Sequence, residues 1–256
     1  MAFDAALALR MITNSRLRTA QGWGEYRDLR GALAVTSDAP ISGLNCIGDF
    51  TTDERNVESM LDIGFALLRA FDREPAAELT PLDRPASIAE HLGRRGLTIE
   101  NRRSWMVFRG DADAIATNAD IEVRIAEADD ARTFAAIHGG SETWVKRLSI
   151  STTLTGMLEP GNTFYLGCID GQPVATLHLL RDGSTAGIYA VGTMKAHRRR
   201  GVSTTLIARA IRDAHAAGCD VVCLSTDAGG YAETLYAKLG FERVFESQVW
   251  AVAPRV

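Results

Sequence analysis

The chain has 256 residues, 46% of them hydrophobic, enough for one large domain or two ordinary ones with buried cores. Its 28 Lys and Arg stand against 32 Asp and Glu, a formal net charge of -4, so no global field draws it to nucleic acid or to an anionic membrane. Cys46, Cys168, Cys219 and Cys223 make no CxxC pair and the five histidines do not cluster at metal-ligand spacing; no metal is expected, and the free thiols read as small core residues.

The opening stretch MAFDAALALRMI has no basic leader, is broken by Arg10 and is too short to span a bilayer, so a cytoplasmic protein is expected. EYRDLRGALAVTS and LNCIGDFT suit the strands of a meander. Val57 to Phe71 reads as a helix with Met60, Ile63, Leu67 and Leu68 on its apolar side. Ahead of that helix GDFTTDERNVES carries Asp49, Asp53 and Glu54, which satisfy the positive end of the helix dipole and repel a phosphate. RGDADAIATNAD, residues 109 to 120, reads as a boundary, after which IEVRIAEADDARTFAAIH opens a new strand and helix.

Three β-rich runs follow, Thr163 to Ile169, Val174 to Leu180 and Ala186 to Thr193, separated by DGQP and RDGS. Val202, Leu206, Ala210 and Ala214 then recur at helical spacing up to Gly218. The uniformly apolar CDVVCLS reads as a buried strand beside a parallel neighbour. In the loop feeding that helix lies AHRRRGVSTTL, where Arg198, Arg199 and Arg200 precede Gly201. A helix N-terminus offers unpaired amides and a positive dipole end, and a glycine lets the backbone approach an anion closely, so this loop is a phosphate site. A solvated basic turn and a nucleic-acid strip are the competing readings. Further on, Ala232 to Leu239 reads as a short helix ended by Gly240, with a last β run through Val249 to Val252.

These segments resemble the GNAT superfamily of acyl-CoA-dependent N-acyltransferases. Arg198, Gly201 and Ser203 match its phosphate loop, and Ala232, Leu235, Tyr236, Lys238, Gly240 and Phe241 match its AxxLYxKxGF signature. The resemblance covers roughly residues 120 to 256. It implies that pantetheine lies between splayed strands against Val191 and Thr193, and that amides from Arg199 through Gly201, Val202 and Ser203 to Thr204 hold the pyrophosphate. It also implies that Tyr236 serves as general acid to the thiolate and that the oxyanion sits by the bulge amide near Val191. Three positions depart from the family pattern: Ser203 replaces a glycine or alanine, Lys195 a common proline, and Gly229 an asparagine that contacts CoA in a subset of members. His178 and Glu142 are the candidates for the base that frees the amine.

AEHLGRRGLTIENRRSWMV, residues 89 to 107, echoes AETLYAKLGFERVFESQVWAV, residues 232 to 252. The first half therefore resembles a degenerate GNAT module without a basic glycine loop. The expected fold is α/β, in two tandem GNAT-like modules, each a mixed sheet flanked by helices: 1–117 degenerate, 118–256 binding acetyl-CoA. The expected activity is N-acetyl transfer to a primary amine of a small molecule or peptide, with no nucleic-acid or membrane partner. A non-catalytic acyl-CoA sensor or scaffold is the alternative.

Overall fold

The computed structural model describes residues 3–139 and 143–253. The first helix, α1 (Ala5–Ala20), starts at Asp4, whose side chain accepts the Leu7 amide at 3.0 Å. It is followed by β1 (Glu25–Asp28), β2 (Leu33–Thr36), β3 (Cys46–Gly48), α2 (Val57–Ala70), β4 (Ala76–Leu79), α3 (Ile88–Arg94) and β5 (Leu97–Phe108). The second half begins with β6 (Glu122–Ile125), α4 (Ala131–Gly139) and α5 (Thr143–Leu158). Then come β7 (Asn162–Ile169), β8 (Gln172–Asp182), β9 (Thr185–Thr193), α6 (Val202–Ala216), β10 (Val221–Asp227), α7 (Tyr231–Lys238) and β11 (Phe241–Val252).

The two halves repeat one plan. An antiparallel meander, β1-β2-β3 or β7-β8-β9, is followed by a crossover helix, α2 or α6, and by a strand parallel to the last meander strand, β4 or β10. A short helix and a long strand close each half, α3 with β5 and α7 with β11, so the sequence echo falls on equivalent elements. The closing strands are exchanged: β5 pairs with β10, β11 pairs with β4, and the two pair with each other from Phe241↔Phe108 to Val252↔Leu97. The result is one eleven-stranded mixed sheet in the order β1-β2-β3-β4-β11-β5-β10-β9-β8-β7-β6.

Separate apolar clusters cover this sheet. α6 packs Leu206, Ile207, Ala210 and Ile211 against Leu177, Ile188 and Leu224. α2 and α3 pack Leu61, Phe65 and Leu92 against Ile47 and Ala77. α1 lies on the opposite face of the second half, with Leu7, Met11 and Ile12 against Trp105, Cys223 and Phe245. All four cysteines are buried and free. Among the described residues no helix is long and apolar enough to cross a membrane.

Three elements were not expected from the sequence. In α1 the apolar stripe stops after Ile12, because the next buried positions are Asn14 and Thr19, which read as surface. β4 has four residues and no alternation. α5 is rich in Ser and Thr, residues of modest helix propensity. The last strand also starts earlier than expected, at Phe241, because pairing with β5 extends it back to the end of α7.

Asn14 pins α1 to the sheet. Wholly buried, it donates through Nδ2 to the Leu180 carbonyl at 3.2 Å and accepts the Tyr189 hydroxyl through Oδ1 at 2.7 Å. Asn14→Leu keeps the volume but strands both partners, which is expected to cost about 1–3 kcal/mol. Urea unfolding reads this as a lower midpoint; an unshifted midpoint would show that the two partners are satisfied without Asn14.

Candidate acyl-donor and acceptor site

Parallel β9 and β10 stay together only over Val221↔Thr185, Val222↔Ala186 and Cys223↔Gly187. Beyond that β10 follows β5 to Asp227, while β9 follows β8 to Thr193. The end of β9, the loop after it, the first turn of α6 and one side of α7 line a cavity of about 610 Å³.

Most of the residues expected at the donor site line this cleft. Val191 and Thr193 come from β9, Arg198, Arg199 and Gly201 from the loop, and Val202, Ser203 and Thr204 from the first turn of α6. Arg200 does not line it; this residue is exposed, and its carbonyl accepts Asn118 Nδ2 at 3.1 Å. The loop backbone is left-handed at Arg199 (φ 61°) and again at Gly201 (φ 81°). The first α6 bond runs from Thr205 N to Gly201 O, so the helix itself leaves the amides of Val202, Ser203 and Thr204 unpaired. Arg198 Nε donates to Thr193 O at 3.2 Å, and the hydroxyls of Thr193 and Ser203 lie 2.6 Å apart, tying the strand end to the helix start. No carboxylate lies among the described lining residues, whereas two arginines and a helix N-terminus do. The arrangement fits a pyrophosphate.

Tyr236 lines the cleft from α7, packed edge-on against Phe241 at 5.8 Å. Burial pushes its hydroxyl up to about 12, so it stays protonated and can donate. Gly192, His197, Tyr231, Ala232 and Leu235 also line the cleft and were not singled out as site residues. Nor was Asn118, which braces the loop: its amide donates to Thr205 Oγ1 at 3.1 Å and its side chain holds the Arg200 carbonyl. In sequence it is one small polar residue inside an apparent linker. Gly229, at the departure noted above, donates its amide to Glu233 Oε2 at 2.6 Å.

β9 carries a bulge. Thr176 pairs with Gly192 and His178 with Tyr189, so Ala190 and Val191 together oppose Leu177, and Ala190 is left-handed at φ 50°. Three successive residues of this stretch each line a different cavity. Val191 lines the 610 Å³ cleft, Ala190 a pocket of about 20 Å³, and Tyr189 a cavity of about 220 Å³ beneath α1.

His178 lies in the smallest of the three, with Arg18 and His138, and not in the cleft with Tyr236. It stacks on Phe164 with ring centroids 4.2 Å apart, and its Nε2 lies 2.6 Å from Asn162 Oδ1. Asn162 Nδ2 already donates to Gln21 Oε1 at 3.0 Å, so Oδ1 must accept and His178 Nε2 carries the proton. Burial first, then the Arg18 and His138 charges, hold His178 well below the ordinary histidine value. Glu142 lies outside the described residues.

The first half shows the same frame closed. β3 and β4 pair at Ile47↔Ala77, and the segment after β4 fills the opening: Phe50 N donates to Asp83 Oδ1 at 2.6 Å and Arg84 N to Phe50 O at 2.8 Å. Where the second half has a cleft between α6 and α7, α2 and α3 are joined through His91, which bonds Glu54 and Glu58, and through Arg95, which bonds Glu58 and Asp62.

Residues 127–241 match the model of the acetyltransferase (GNAT) family. In fold the whole chain is similar to a GCN5-related N-acetyltransferase from Kribbella flavida, at 20% identity and TM-score 0.73, covering 100% of this chain and 98% of that one. A GCN5-related N-acetyltransferase from Sphaerobacter thermophilus is similar at 15% identity and TM-score 0.66, covering 94% and 86%. A tandem GNAT protein from the clavulanic acid biosynthesis pathway is similar at 13% identity and TM-score 0.65, covering 95% and 89%.

His138, pushed down to about 4 by burial and the Arg18 charge, and His178 both bind a proton less readily folded than unfolded. Their contribution to stability is therefore complete above the ordinary histidine value of 6.5 and is lost as pH falls toward 4. Thermal midpoints of wild type and His138→Phe, taken from pH 7.5 down to 4.5, are expected to converge on acidification; a constant difference would contradict the neutral buried state.

Proposed function

We propose that this protein, whose residues 127–241 match the model of the acetyltransferase (GNAT) family, transfers an acetyl group from acetyl-CoA to a primary amine. The observation that carries this reading is the cleft lined by the end of β9, α6 and α7, in which the N-terminus of α6, with no carboxylate among the described lining residues, and Tyr236 share one cavity. In this proposal the amides of Arg199 and of Gly201 to Thr204 hold the pyrophosphate, helped by the Arg198 side chain, and backbone groups of Val191 and Thr193 align the pantetheine arm. Acetyl-CoA supplies the acyl thioester.

Transfer is direct, within a ternary complex. The amine nitrogen bonds the acyl carbon as the carbon–sulfur bond breaks, the departing thiolate takes the Tyr236 proton, and the nitrogen loses one of its own. The bulge amide by Val191 stabilises the developing oxyanion. Glu142 and His178 are the proposed acceptors of the amine proton, His178 only through Nδ1 because Nε2 is held by Asn162. Residues 118–256 form the catalytic module and 1–117 a degenerate module that supports it and covers its acceptor face.

Calorimetric titration with acetyl-CoA tests the donor site. Gly201→Glu places a side chain at φ 81° and a carboxylate against the amides, and is expected to weaken binding tenfold or more, about 1.4 kcal/mol; equal binding would remove the phosphate-loop reading.

Tyr236→Phe separates a catalyst from an acyl-CoA sensor. A catalyst retains acetyl-CoA affinity and loses kcat by about 10² or more. Unchanged kcat would exclude Tyr236 as the proton donor, and tight binding with no turnover of any amine would favour the sensor.

A further inference from the structure

Opposite the donor cleft, the 220 Å³ cavity lies beneath α1 and is reached by Tyr189 of β9 and Ser225 of β10. The strands alternate across the sheet: Leu224 packs under α6 and Cys223 under α1, so Ser225 faces the α1 side. Among the described residues, the charged side chains on the cavity wall are Arg16, Arg18 and Arg103 against Asp49 and Glu78. Arg16 pairs with Asp49, and Arg103 lies 3.9 Å from Glu78. One positive charge is left over, and it is Arg18.

Arg18 has no carboxylate or hydrogen-bond acceptor among the described residues, and its Nε has no accessible surface and no partner. Its guanidinium is instead held between aromatic faces, 4.8 Å from the Trp23 ring centroid and 5.3 Å from that of Tyr189. It has no counter-charge among the described residues, and burial pushes its pKa down to about 10. A desolvated guanidinium without a counter-charge is costly unless something supplies one. Its ring partner Tyr189 is the residue next to the bulge, where the donor cleft begins.

We propose that this cavity takes the acyl acceptor and that Arg18 binds a carboxylate on it, so that the substrate class is a small amino carboxylate. The inference rests on the acyl-transfer reading above. A single excess charge matches one carboxylate, where a phosphate would bring nearly two negative charges. The volume lies below the ~300–1,000 Å³ of drug-sized pockets, which favours an amino-acid-sized acceptor over a peptide. The aromatic faces fix the guanidinium plane and leave its terminal nitrogens to form the paired hydrogen bonds that a carboxylate accepts.

The test is steady-state acetyl transfer from acetyl-CoA to glycine, β-alanine and 4-aminobutyrate, each beside its uncharged carboxamide, in wild type, Arg18→Met and Arg18→Lys. Wild type is expected to prefer at least one carboxylate over its amide by tenfold or more in kcat/KM. Arg18→Met should abolish that preference through KM and Arg18→Lys retain part of it, with calorimetric affinity for acetyl-CoA unchanged in both. Equal use of carboxylates and amides by wild type, or a preference that survives in folded Arg18→Met, overturns the proposal. Should Arg18→Met not fold, the wild-type comparison and Arg18→Lys decide. If no amine is acetylated, the acyl-transfer reading fails separately, and Trp23 fluorescence titrated with the same probes decides the site. Saturable quenching by a carboxylate but not its amide, lost in Arg18→Met, supports the site, and its absence overturns it.

Discussion

The loss of pairing between β9 and β10 after Gly187 and Cys223 is the constraint on which the second half depends. Two parallel strands that part company leave backbone donors and acceptors facing a gap, and such groups need partners. Here β10 turns its other edge to β5, while β9 keeps β8 and spends its surplus length on a bulge. The gap therefore combines a strand edge, the mouth of a helix and an aromatic hydroxyl. The left-handed Arg199 belongs to the same economy: a non-glycine residue in that region is strained by about 1–3 kcal/mol, held here by Asn118 and the strand end around it.

The first half shows that the frame alone is not enough. Its crossover helix α2 starts behind Asp53 and Glu54 instead of arginines, and the equivalent opening is stitched shut by Phe50, Asp83 and Arg84. Solvent-facing ion pairs such as that from Arg95 to Asp62 contribute little stability each. What they do is join two helices that in the other half stand apart. The first half consequently has this opening closed, and Arg16, Arg18, Asp49 and Glu78 gather in the cavity beneath α1.

Much of this was legible in the sequence where local rules suffice. The meander, the α6 helix, the parallel β10 and the basic glycine loop each followed from periodicity or turn residues, and the repeated plan was visible in the likeness of residues 89 to 107 to 232 to 252. Contacts between distant segments were not legible. Arg18 sits in a helix that buries the polar Asn14 and Thr19, Asn118 in a stretch that looks like a linker, and the short β4 is a strand because β3 and β11 lie on either side of it. His178 on a strand is visible in sequence; its bond to Asn162 and its distance from the cleft come from tertiary packing alone.

The exchange of closing strands sets an order of events in synthesis. β4 pairs with β11 through Leu79↔Gln248 and Ala76↔Ala251, and β5 pairs only with β10 and β11, so a nascent first half has one open edge on β4 and both edges of β5 awaiting segments not yet made. Open edges of this kind recruit other chains. The repeat unit along the chain is thus not the unit that folds: severing the chain between the halves would yield two fragments, each lacking its own final strand's partner, and their recovery would require both to be present together.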